Sequence, residues 1–367
     1  MGRSDKSRSR PLVVTVFGTR PQFIKLAVLW RELESRFRSV LIDSGQHYDW
    51  ELAGAVRTDT GLRKPNIHLG VRSGTPASQI GRIADILDRR LATLKPQAVI
   101  VIGDTSTTAG GAIAAAYRGI PVAHVEAGLR SFNRSAPEEK NRILADHLSN
   151  WRFCPTASSI AHLRKEGLQV GNFGVGDLMY QHWLEHARSS ESMDTHSEAI
   201  AGDYYYVTAH RAENVDSPER LGTLVRILES LACPAIYPTH PRTERNLKRL
   251  GYWKRLRRHP HIKLTPPVTY SASLALVRGA KAVLTDSGGL QREAYWSRVP
   301  CLVLRDVTEW PELLSAGAGA LVGLDEAKVR TSLKRRWSHR SVADRIFSRR
   351  NPAKAIAQRL DLDLAAQ

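Results

Sequence analysis

Cysteine is scarce in this 367-residue chain, with three residues at Cys154, Cys233 and Cys301. They are far apart and odd in number, which excludes a disulfide framework and a metal-knuckle spacing. Their apolar surroundings read as reduced core positions, which suits the cytoplasm. Long apolar runs are also missing: no uninterrupted stretch approaches the roughly 18–20 residues that a bilayer span needs, so membrane insertion is not expected. The N-terminus lacks a secretory pattern, because Met1 to Arg10 is basic and Ser-rich while Pro11 to Phe17 is a short apolar segment leading into a Gly turn. Residues 1–10 therefore read as a disordered basic tail.

Acidic residues are outnumbered, 36 Asp and Glu against 54 Lys and Arg, for a formal net charge of +18. A basic surface is rewarded on any polyanion by counterion release. Here the excess lies in Arg3 to Arg10, Lys248 to Arg258 and Lys328 to Arg350, with no zinc, RRM-like or basic-zipper motif beside it. A solvated basic surface is expected, and no specific nucleic-acid partner.

What is present is the composition of a folded globular protein, 42% apolar, at a length that suits two α/β domains. The β-branched run Leu12 to Phe17 ends in Gly18 and is followed by a helical pattern from Pro21 to about Ser35; Val40 to Asp43 reads as a second strand. The pattern repeats with a helix from about Ala77 to Leu94, a strand Ala98 to Ile102, a helix Ser106 to Arg118 and a strand Val122 to Val125. After Phe153 and a helix Ser158 to Glu166, the segment Phe173 to Arg188 reads as a crossing into a second domain. Strand candidates there are Tyr204 to Thr208, Ala235 to Tyr237, Ile262 to Leu264, Ala282 to Thr285 and Cys301 to Leu304. Continuous apolar strands alternating with helices predict parallel sheets buried on both faces. The expected fold class is α/β, two Rossmann-like domains (11–180 and 181–350) facing a central cleft, with residues 351–367 a helix that crosses back to the first.

In open parallel sheets ligands bind beyond the carboxyl ends of the strands, so the residues just after each strand carry the information. Gly18-Thr19-Arg20-Pro21-Gln22-Phe23-Ile24-Lys25 puts a Gly turn and two cations at a helix N-terminus, which suits an anion; Arg20 paired with a structural carboxylate is the rival reading. Asp286-Ser287-Gly288-Gly289 follows a strand and opens a helix, so backbone N–H groups and a hydroxyl converge as they would around a diphosphate, a plain tight turn being the alternative. Asp104, Glu126 and Glu138 follow or adjoin strand ends, where clustered carboxylates supply acids and bases. His210 follows a strand of the second domain beside Arg211 and Glu213, and His240 takes the equivalent place after the next strand, in a positioning role.

These residues sit in an ordered series of motifs: GTRPQFIK at 18–25, GQHYD at 45–49, GDTSTT at 103–108, HVEAGLRSFNR at 124–134, PEEKNR at 137–142, HRAEN at 210–214, DSGGLQREA at 286–294 and LRDVTEWPE at 304–312. The series resembles the non-hydrolysing UDP-N-acetylglucosamine 2-epimerases, from about Val13 to Gly323. The resemblance implies a GT-B-like fold with UDP held mainly by the C-terminal domain, and a homodimer in the cytoplasm. It implies no cofactor, neither nicotinamide nor a catalytic metal. The implied reaction removes the carbon-2 proton, eliminates UDP to a 2-acetamidoglucal and adds UDP back with the proton on the opposite face.

Carried over by motif, Asp104, Glu126 and Glu138 resemble the acid/base set and His210 a residue at the departing diphosphate. Arg20, Lys25 and Arg142 would orient phosphate and carboxylate groups. His240, Asp286, Ser287, Gly288, Gly289, Glu293 and Arg305 would bind the nucleotide. The sequence also departs from the common bacterial pattern, with Gln22 for Glu, Trp310 for Arg, Ala212 for a second Arg, and Arg292 for an acidic residue or Lys. Some members bind a second UDP-N-acetylglucosamine as activator through the QH segment and that second Arg; Gln46 and His47 are present here, but the Arg is Ala212. Relatives with similar wording include epimerases of 2,3-diacetamido-glucuronic acid nucleotides. A hydrolysing epimerase, a GT-B glycosyltransferase and a non-catalytic binder complete the alternatives.

Overall fold

The computed structural model describes residues 10–46, 61–189, 203–337, 346–347 and 351–366. The chain divides into two compact units, one running through His182 and resuming at Phe347, the other spanning Trp183–Ile346.

In the first unit β1 (Leu12–Phe17), β2 (Arg38–Asp43), β3 (Ile67–His68), β4 (Ala98–Ile102), β5 (Val122–Val125), β6 (Trp151–Cys154) and β7 (Asn172–Gly174) form one sheet in the order β3-β2-β1-β4-β5-β6-β7. Every pairing in it is parallel. β4 reads AVIVI and all of it is buried, as a strand covered on both faces should be. Helices Arg20–Arg36, Pro76–Leu94 and Ser106–Tyr117 connect the strands. The Pro76–Leu94 helix shows how local sequence sets an element: Thr75 caps Ser78 N–H, Pro76 fills the first turn, and Ile83, Leu87 and Leu91 recur on the buried side. The last helix, Pro352–Ala365, packs on helix Arg20–Arg36, and Trp151 Nε1–H donates to its Asp363 at 2.5 Å.

The second unit contains β8 (Tyr205–Thr208), β9 (Ala235–Pro238), β10 (Ile262–Thr265), β11 (Ala282–Thr285), β12 (Cys301–Val303) and β13 (Gly319–Leu321), ordered β10-β9-β8-β11-β12-β13 and all parallel. Alternate residues along β8 enter different cores: Tyr205 and Val207 pack with Leu224 and Leu228, whereas Tyr206, and Tyr204 just before the strand, pack with Val277 and Ala294. That is the period-two geometry of a doubly covered strand. Cys301 lies in the second of these cores, Cys154 is buried in the first unit, and Cys233 is half-buried.

Both sheets have the doubly wound order in which the chain leaves the middle in opposite directions. Each therefore has a topological switch point, between β1 and β4 in one and between β8 and β11 in the other. The short strands β3, β6, β7 and β13 add to the elements read from the sequence, and β2 begins two residues earlier than Val40 because Arg38 and Ser39 pair with Leu12 and Val13. Among the described residues, no helix is long and apolar enough to cross a membrane.

Candidate active site

The switch point of the first unit gathers charge around one glycine. β4 ends at Ile102, and Gly103 turns the chain with φ of +69°, a conformation that favours a residue without a Cβ. Asp104 follows and pairs with Arg142, which arrives from helix Pro137–Leu148 and also donates to Glu139 at 3.1 Å. At the end of β5, Glu126 pairs with Lys25 from helix Arg20–Arg36. A Cβ on Gly103 would stand 3.3 Å from Glu126 Oε2 and 3.5 Å from Lys25 Nζ. Two ion pairs, Asp104–Arg142 and Lys25–Glu126, thus flank the turn.

Glu126 itself has φ of +70°. The left-handed conformation costs a residue with a Cβ about 1–2 kcal/mol, and such strain collects where a side chain must be aimed. Its side chain is 11% exposed and that of Asp104 29%, against 7% for Lys25 and 4% for Arg142. Gln22 holds the adjoining turn: its Oε1 accepts from Gly18 N–H at 2.8 Å and Thr19 N–H at 3.0 Å, and its Nε2 donates to Ile102 C=O at 2.7 Å. An amide both accepts and donates there. A carboxylate could not make the bond to Ile102, which gives Gln22 a physical reason in this chain.

Glu138 lies half-buried in the first turn of helix Pro137–Leu148. The next residue, Glu139, is buried and accepts from Ser131 N–H, Ser131 Oγ–H and Phe132 N–H, each at 2.9 Å. It pins the loop after β5 and was not picked out from the sequence, where two adjacent glutamates look alike. Arg20 begins its helix, and its side chain and His47 lie outside the described residues.

At the switch point of the second unit, Asp286 follows β11 and is fully buried. Its Oδ2 accepts from His210 N–H and Arg211 N–H at 3.0 Å each and from Asn214 Nδ2 at 3.1 Å. Asp286 is therefore the organiser of the HRAEN turn. The His210 ring, 41% exposed, has Nδ1 3.4 Å from Asp286 Oδ1 and stacks on His240 at 5.5 Å. His240 caps helix Pro241–Arg249 by accepting Arg242 N–H at 3.1 Å, which fixes that stack.

Ser287 caps helix Gly288–Trp296, opened by Gly288 and Gly289. Neither glycine has a positive φ, and the nearest atoms a Cβ would meet are Trp310 Nε1 at 3.6 Å and Ser287 Oγ at 3.8 Å, ordinary contact distances. The fold of this unit does not require glycine at either position. The bare backbone leaves the N-terminus of that helix open. Glu293 is buried further along the same helix. Arg305 is buried too, and donates to both oxygens of Glu309 at 2.8 and 3.1 Å, with Glu213 at 3.4 Å. Burial disfavours its charge, but Glu309 and Glu213 outweigh that and hold the guanidinium above its ordinary value. Its donors serve carboxylates of its own unit.

Two doubly wound sheets, with ionisable side chains gathered at both switch points and a Gly-Gly helix start at one, define a two-Rossmann-unit α/β protein of the GT-B-like class. A glycotransferase of kitacinnamycin, 12% identical with a TM-score of 0.58, shares that fold alone. The chain belongs to the UDP-N-acetylglucosamine 2-epimerase family, whose model matches residues 31–360. A UDP-N-acetylglucosamine 2-epimerase homolog of Methanococcus maripaludis is 39% identical over 321 residues, covering 86% of this chain and 90% of the relative. The UDP-2,3-diacetamido-2,3-dideoxy-D-glucuronate 2-epimerase of Pseudomonas aeruginosa is 37% identical over 319 residues, covering 85% and 88%. Among solved structures, the Methanocaldococcus jannaschii UDP-GlcNAc 2-epimerase in complex with UDP-GlcNAc and UDP matches with a TM-score of 0.89 at 36% identity, covering 96% of this chain and 99% of that one.

Proposed function

We propose that this protein interconverts UDP-N-acetylglucosamine and UDP-N-acetylmannosamine by elimination and re-addition of UDP. The observation that carries the reading is the pair of glycines, Gly288 and Gly289, which their own unit does not require and which leave a helix N-terminus open to a diphosphate. Family membership supports epimerisation at carbon 2, and the carboxylates around Gly103 are the groups suited to serve as its base.

The chemistry asks for removal of a weakly acidic C–H while a diphosphate departs. A carboxylate, Glu126 or Asp104, takes the carbon-2 proton; the C–H electron pair forms the carbon 1–carbon 2 double bond as the bond from carbon 1 to the diphosphate oxygen breaks, its electrons leaving with UDP. The Lys25 and Arg142 partners hold those carboxylates in place beside the turn. Ser287, the N–H groups of Gly288 and Gly289, and His210 receive the growing negative charge, where fixed donors are most effective. Re-addition of UDP with a proton delivered to the other face of carbon 2 gives the epimer. Glu138 completes the acid/base set, while Arg20, His240, Asp286, Glu293 and Arg305 bind or support the nucleotide. The reaction runs in the cytoplasm, in a homodimer that light scattering would detect.

Proton NMR of the purified protein with UDP-N-acetylglucosamine tests the assignment. The expected result is UDP-N-acetylmannosamine at a constant total of UDP-sugar. Steady accumulation of free UDP would instead make the protein a hydrolysing epimerase or a transferase.

A second reading rests on the Pseudomonas aeruginosa relative, whose identity of 37% differs little from the 39% of the homolog above. In that reading the substrate is a 2,3-diacetamido-glucuronic acid nucleotide. Comparing the two nucleotides as substrates separates the readings.

A further inference from the structure

Beneath the carboxylate cluster lies a buried charged chain that the reaction does not touch. His124, on β5 two residues before Glu126, is fully buried, with Nε2 2.7 Å from Gly103 C=O and Nδ1 2.7 Å from Asp146 Oδ1. Asp146, also fully buried, receives Gly128 N–H at 3.2 Å and Arg130 NH1 at 2.7 Å on Oδ2. Arg130 ends the chain with a two-pronged contact to Glu166, both bonds 2.7 Å long. Burial alone would raise the Asp146 carboxyl, but His124 and Arg130 hold it below its ordinary value. The Gly103 carbonyl can only accept, so Nε2 of His124 donates to it.

Two turns are tied down by this one network. Gly103 precedes Asp104, and Gly128 follows Glu126 by two residues. His124 holds the carbonyl of the first turn while Asp146 holds the amide of the second. Both turns carry positive-φ residues, Gly103 at +69°, Glu126 at +70° and Gly128 at +76°, and of these the non-glycine Glu126 is the one whose conformation needs outside support. We infer that His124 and Asp146 are positioning residues that set the spacing of the Asp104 and Glu126 carboxylates, through hydrogen bonds to the peptides that carry them. The inference rests on the epimerase reading for its consequence in turnover, although the spacing itself is a property of the first unit alone.

Two amide substitutions separate the two bonds of His124. In His124→Asn the side-chain nitrogen stands near Nδ1, keeps Asp146 and loses Gly103; in His124→Gln it stands near Nε2, keeps Gly103 and loses Asp146. The expected result is that H124N lowers kcat by about tenfold to 10²-fold, the scale of a small misplacement at a reacting centre. KM and UDP affinity stay within about twofold, H124Q stays within about threefold of wild-type kcat, and amide hydrogen exchange over residues 103–105 is faster in H124N than in H124Q. Wild-type kcat and exchange in H124N would overturn the inference, as would equal losses in the two variants. Where H124N does not fold, H124Q decides alone, a loss beyond threefold counting against us. The amide-exchange comparison needs no turnover, so an inactive wild-type chain would sink the reaction assignment and leave the role of His124 to be judged separately.

Discussion

The Lys25–Glu126 ion pair packs against the bare α-carbon of Gly103, where a Cβ would stand 3.3 Å from Glu126 Oε2. One turn thereby brings three non-neighbouring stretches of sequence together: the helix after β1, the turn after β4 and the end of β5. The missing side chain leaves room for a carboxylate and its counter-ion to be aimed at one place.

Gly103→Ala is expected to damage the first unit in two ways. The alanine must hold φ near +69° and press on the ion pair, which together should destabilise the protein by about 1–2 kcal/mol and lower turnover. Thermal melts beside activity assays check it, and an unchanged melt with full activity would show that the turn tolerates a side chain.

Gly288→Ala should behave in the opposite way. Its Cβ meets nothing closer than 3.6 Å and its φ is not positive, so stability should stay within about 0.5 kcal/mol of wild type. UDP affinity should nonetheless fall by about tenfold or more, since removing or blocking a hydrogen bond to a charged group costs about 1.5–3 kcal/mol. Isothermal titration with UDP measures this, and undiminished affinity would remove the diphosphate from that helix start.

Glu126→Gln keeps the shape of the side chain and removes its basicity. UDP binding is expected to stay nearly intact while turnover drops by roughly 10²-fold or more, the usual contribution of a positioned acid or base. Wild-type turnover in this variant would transfer the role to Asp104 or Glu138.

Most of the sheet topology was legible because its central strands are continuous apolar runs: β4 and β5 have the bounds read from the sequence, and β11 as well. The edge strands β3, β7 and β13 hold two or three residues each, too few for a period to show, and exist because a neighbour supplies their hydrogen bonds. The candidate site was legible as motifs and not as contacts. Asp104 and Glu126 could be picked out at strand ends, but their pairing with Arg142 and Lys25 depends on where two helices dock. His124 read as an ordinary residue of a buried strand, since its partners Gly103 and Asp146 are 21 and 22 residues away. Glu139 was indistinguishable from Glu138 until the helix phase turned one of them inward.

The depressed Asp146 carboxyl makes a prediction about acid stability. Its folded value lies below its unfolded one, so the stabilisation is fully present above about pH 4 and is lost as pH falls through the folded value. Asp146→Asn should therefore cost about 3–5 kcal/mol at pH 7, the scale for breaking a buried pair, and less as the pH approaches 3. Urea unfolding of both proteins across that range checks the sign; a gap that widens in acid would contradict the assignment.

The proposed reaction turns on a proton leaving carbon 2. Incubating the protein with UDP-N-acetylglucosamine in deuterium oxide and following carbon 2 by NMR and mass spectrometry tests this most directly. Deuterium should enter that position in the recovered sugar nucleotide and in its epimer, and an epimer formed without deuterium at carbon 2 would contradict the mechanism.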